Sequence, residues 1–87
     1  MKSFKTGYEI TSDIDCIIHN ATKVYGLPDH WMGDCPHDQI DESLQYDVHT
    51  TLEFAKDQET YDDVLQEVED LVTMWAEDYR NYMREEH

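Results

Sequence analysis

Two sets of side chains in this sequence have the types and spacing to do chemistry. The first is Cys16, His19, His30, Cys35 and His37, thiols and imidazoles of the kind that hold zinc. Cys16 and His19 lie about one helical turn apart, but the run His30-x4-Cys35-x-His37 has neither the finger nor the ribbon spacing. Asp13-x-Asp15 lacks the Gly-containing loop of a calcium hand. No metal and no other cofactor is therefore expected. The second set is acidic: Asp62, Asp63, Glu67, Asp70, Glu77 and Asp78 recur at steps of three, four and seven. On a helix those steps align carboxylates in rows along the solvent side. Four residues advance about 6 Å, comparable with the phosphate spacing along one strand of a duplex, whose axial step is about 3.4 Å with rotation added. A stiff acidic helix can thus imitate a row of phosphates.

The charge of the whole chain points the same way. Its 87 residues carry a formal net charge of −15. Residues 38–87 hold sixteen carboxylates against three Lys or Arg, a balance of −13, whereas residues 1–37 hold five against three, a balance of −2. A field of this sign repels nucleic acid and anionic lipid and attracts a basic surface. Like charges at helical spacing also destabilise the helix by a few tenths of a kcal/mol per pair. Solubility alone does not call for that cost. Asp41, Glu42, Asp47 and Glu53 are secondary members of the acidic surface, and Tyr46, Tyr79 and Tyr82 are candidate apolar anchors at its edge.

Enzymatic chemistry is not expected. There is no phosphate-cradling Gly loop and no nucleophile elbow. Acid–base work needs carboxylates in a cleft with pKa values driven apart, not solvated on a surface. No run of apolar residues is long enough to span a bilayer, and the start Met1-Lys2-Ser3-Phe4-Lys5-Thr6-Gly7 has no apolar stretch after its basic residue, so a cytoplasmic protein with no membrane partner is expected. In that compartment Cys16 and Cys35 stay free thiols.

The elements that must position these residues form one domain, 1–87, of class α+β. Phe4, Thr6, Tyr8 and Ile10 alternate with polar residues as in a short strand. Ser12 with Asp15 reads as a capping box that opens a helix on Ile14, Ile17, Ile18, Ala21, Val24 and Tyr25, ended by Gly26 and Pro28. A Gly- and Pro-containing loop follows to His37; in it Trp31 is either a plug on the core or an exposed contact, and its size favours the plug. Residues 44–54 alternate as a second strand would, with Tyr46 and Phe54 on its buried face. A helix competes there, because Ile40, Leu44, Val48, Thr51, Leu52 and Ala55 also make a stripe and Pro36 suits a first turn; an all-α chain is the alternative class. Finally, Thr60 with Asp63 reads as a capping box for a long helix to about Arg84, apolar along Tyr61, Val64, Leu65, Val68, Leu71, Val72, Trp75, Tyr79 and Tyr82. A core this small makes a homodimer a reasonable expectation.

In its size, its Tyr-with-carboxylate texture and the acid-rich end Ala76-Glu77-Asp78-Tyr79-Arg80-Asn81-Tyr82-Met83-Arg84-Glu85-Glu86, the chain resembles phage-encoded DNA-mimic proteins. The likeness covers the C-terminal half and is one of character, without a diagnostic motif. It implies an inhibitor that occupies the DNA-binding surface of a basic host protein, such as a nucleoid-associated protein of the HU type, without touching nucleic acid itself. The competing expectation is an acidic adaptor or antitoxin-like module that grips one basic partner without duplex mimicry.

Overall fold

The structure, a computed structural model, describes residues 4–85. The chain forms α1 (Gly7–Val24), a 3₁₀ turn (Asp29–Met32), α2 (Pro36–Leu44), α3 (Val48–Glu53) and α4 (Gln58–Glu85). No strand is present among the described residues. The α+β expectation is therefore wrong, and the domain is all-helical.

Each misread segment has a local cause. Thr6, not Ser12, caps α1: the Glu9 N–H donates to Thr6 Oγ1 at 3.3 Å and the Thr6 N–H donates to Glu9 Oε2 at 2.9 Å. This reciprocal box satisfies two otherwise orphaned donors and draws residues 7–10 into the helix, overriding their alternation. Of the apolar residues assigned to one strand face, Ile10 is buried while Tyr8 is 84 % exposed. At the other end, Gly26 adopts φ 71°. That conformation costs glycine little, and it lets the Leu27 N–H reach back to the Ala21 carbonyl at 3.3 Å, which turns Leu27 into the core.

Residues 44–54 are the end of α2, a reversal and the whole of α3. Gln45, at φ 65°, stops α2 in the left-handed conformation. The Tyr46 N–H then donates to the Asp41 carbonyl at 3.1 Å, and Asp41 Oδ1 accepts from the Val48 N–H at 3.0 Å. Asp47 caps α3 by accepting from the Thr50 N–H at 2.8 Å. Short acidic side chains that bond nearby backbone compete with a strand ladder in this way. The helical stripe is largely the one the core uses, with Ile40, Val48, Leu52 and Ala55 buried and Thr51 exposed. Phe54, assigned to the buried strand face, is 75 % exposed.

α4 starts two residues before the expected Thr60–Asp63 box, with Asp57 Oδ1 accepting from the Thr60 N–H at 2.8 Å. Its 28 residues run about 42 Å at 1.5 Å each, in a molecule measuring 53 × 22 × 20 Å. Tyr61, Val64, Val68, Val72 and Ala76 are buried along it, in one core with Ile10, Ile14 and Ala21 of α1 and Val48 and Leu52 of α3. Over its last turns lies Trp31, its ring 5.3 Å from that of Tyr79 at 71° and 5.4 Å from that of Tyr82. Trp31 is half-buried while Met32 beside it is fully buried.

Candidate partner-binding face

An α-helix advances about 100° per residue, so the buried line through Tyr61, Val68, Val72 and Ala76 fixes where every acid of α4 points. Asp63, Asp70 and Glu77 fall on the side opposite the core, at seven-residue steps of about 10.5 Å. Glu67 and Asp78 lie on the flank toward α3, and Asp62 lies on the flank toward α1. All six are exposed. The six predicted carboxylates therefore occupy three rows covering much of the solvent side. Three more acids share these rows: Glu59 precedes Asp63 by one turn on the outward side, Glu69 joins Asp62, and Glu85 continues the flank of Glu67. The same i, i+4 and i, i+7 spacing would have found them.

Several of these carboxylates are held by uncharged donors. Gln58 Nε2 donates to Asp62 Oδ1 at 2.7 Å, and Gln66 Nε2 donates to Asp70 Oδ1 at 3.0 Å. The Tyr46 hydroxyl donates to Glu67 Oε2 at 2.7 Å. Such bonds orient a carboxylate and leave its charge in place. Among the described residues, no ion pair engages an acid of α2, α3 or α4. Acids of α1, by contrast, do meet such partners: Lys5 Nζ reaches Asp13 at 3.1 Å, and His37 Nε2 reaches Asp15 at 2.7 Å.

The secondary acids divide into two kinds. Asp41 and Asp47 serve the fold through the backbone bonds described above, and the Thr50 N–H holds the Asp47 carboxyl below its usual range. Glu42 and Glu53 are exposed on α2 and α3. Tyr46 joins the two groups, since its ring is half-buried and its hydroxyl faces Glu67 with Asp41 nearby. Burial first, then the bond to Glu67 and the two negative charges, push its phenol up to about 12. Of the other candidate anchors, Tyr79 is half-buried under Trp31 and Tyr82 is 47 % exposed.

The thiols and imidazoles do not assemble. Cys16 and Cys35 are exposed free thiols, and among the described residues no three His, Cys, Asp or Glu side chains converge on a common point. His37 instead ties the start of α2 to Asp15. No helix among the described residues is long and apolar enough to cross a membrane. Comparison of the chain with protein-family models, with curated protein sequences and with solved structures finds no match.

Proposed function

We propose that this chain is a DNA mimic, an inhibitor that covers the DNA-binding surface of a basic host protein with the acidic side of α4. The observation that carries this reading is the outward row Asp63, Asp70 and Glu77, flanked by Glu67 and Asp78, on one continuous helix whose carboxylates meet no cation within ion-pair distance among the described residues. Lys and Arg arranged for phosphates exchange their counterions for such fixed carboxylates as they would for DNA. Action is by occupancy, with no reaction. The favoured target grips duplex without reading bases, as a nucleoid-associated protein of the HU type does, because a plain charged face meets such a surface most readily.

The test uses the full chain, purified HU and a labelled duplex. The chain should displace duplex from HU at low salt, and its affinity should fall by about tenfold or more between 50 and 200 mM salt. Capture from a bacterial lysate at both salt concentrations extends the search beyond HU. Recovery of no DNA-binding protein at low salt would overturn the reading.

The spread of acids toward α1, through Asp62 and Glu69, favours a second reading as an acidic adaptor or antitoxin-like module, since those carboxylates are turned away from the outward row. Duplex separates the two. A mimic's partner is released in proportion to added duplex, whereas an adaptor's partner stays bound.

A further inference from the structure

Between the second half of α1 and the middle of α4 lies an open cleft of about 310 Å³, at the small end of ligand pockets and of a size for a single long side chain rather than a whole cofactor. Ile17, Val24 and Tyr25 give it its accessible apolar wall, Val24 being 68 % exposed, while Val72 at the same cleft is almost fully buried. Glu69 is its one charged lining residue, with Asn20 adding an amide and Thr73, one turn further along α4, a hydroxyl. Arg80 stands over the Tyr25 ring, 5.6 Å from its centre, without lining the cleft. A cleft of mixed lining, aliphatic at Ile17 and Val24 and bearing amide, hydroxyl and carboxylate groups at Asn20, Thr73 and Glu69, matches a side chain that is apolar along its stem and cationic at its tip.

We propose that this cleft receives one arginine or lysine side chain of the basic partner, its methylenes laid on Ile17 and Val24 and its head group against Glu69. The proposal rests on the partner being basic, as the proposed function holds. It adds a fixed point to a surface that charge alone leaves free to slide, because an inserted side chain sets position where a row of acids sets only attraction. The net charge of −15 concentrates cationic groups near the rim, and the apolar walls reward a long stem over a short one.

The probes are two capped tripeptides, acetyl-Gly-Arg-Gly-amide and the same peptide with norleucine for arginine, titrated into the labelled full chain while the methyl signals of Ile17, Val24 and Val72 are followed by NMR. The arginine peptide should shift these signals in a saturable way and the norleucine peptide should bind more weakly. Glu69→Gln should weaken the arginine peptide by about three- to fivefold, whereas Asp34→Asn, which removes one charge from a residue that does not line the cleft, should leave it unchanged. Equal weakening by both substitutions would reduce the effect to the general field and overturn the proposal, as would norleucine binding as tightly as arginine, or cleft methyls that do not move. The experiment is independent of any protein target. Failure here with HU still displaced from duplex removes the cleft and keeps the mimic, and the converse result removes the mimic and keeps the cleft.

Discussion

On α1, Glu9 completes the cap with Thr6, Asp13 accepts from Lys5 and from the Tyr61 hydroxyl at 2.7 Å, and Asp15 meets His37. On α4, Asp63, Asp70 and Glu77 have no cationic neighbour within ion-pair distance among the described residues. Both helices carry carboxylates, but those of α1 are tied to a cap, a cation and an imidazole, whereas the bonded ones of α4, Asp62, Glu67 and Asp70, meet the neutral donors Gln58, Tyr46 and Gln66. The Tyr61 hydroxyl bond and Lys5 hold the Asp13 carboxyl below its usual range, which is the mark of an acid bound as an anion. An acid that nothing in its own chain neutralises is a candidate for use by another molecule.

The contrast can be broken most forcefully at Tyr61, which is fully buried and links the two helices through Asp13. Tyr61→Ala should cost about 3–5 kcal/mol in urea unfolding; a loss under 1 kcal/mol would mean that the α1–α4 seam does not hold the domain together. Next come matched neutralisations of opposite sign. Asp13→Asn should lower stability by about 1 kcal/mol, a value trimmed by the partial exposure of the carboxyl. Asp63→Asn should raise it by a few tenths, since Asp63 faces Glu59 and Glu67 one turn away on either side. If both substitutions destabilise equally, the division between bound and unmatched acids is wrong.

The smallest effect concerns Tyr46, whose phenol stands at about 12 against an ordinary value near 10. A raised value means that the folded chain favours the neutral phenol. The resulting stability is complete below about pH 10 and is lost as pH rises through about 12. In an alkaline titration followed by phenolate absorbance, Tyr46→Phe should remove part of the late-ionising signal. Loss of early signal only would mean that the Glu67 bond does not form in solution.

How much of this was readable beforehand varies with the range of the deciding interaction. The apolar stripe of α4 repeats over so many turns that its buried line through Tyr61, Val64, Val68 and Val72 follows from period alone, while Ala76, equally buried, is not among the residues the stripe marks. Tyr82 falls on that stripe by period but is 47 % exposed, its ring lying beside that of Trp31. Residues 44–54 fit periods of both two and three to four, and the decision falls to single bonds from Asp41 and Asp47 that periodicity does not register. Type and spacing mark six of the nine acids of α4 and leave out Glu59, Glu69 and Glu85. Their sorting into rows required the buried line as a reference, and the cleft beside Glu69 required the packing of α1.

The neutral tethers on α4 bear on the thermodynamics of association. Gln58, Gln66 and Tyr46 each restrain a carboxylate that is otherwise free to rotate on an exposed helix. Freezing a flexible side chain on complex formation costs about 0.5–1.5 kcal/mol, and part of that ordering is already complete in the free protein for Asp62, Asp70 and Glu67. An amide or phenol donor achieves this without surrendering any negative charge, which a lysine in the same place would cancel.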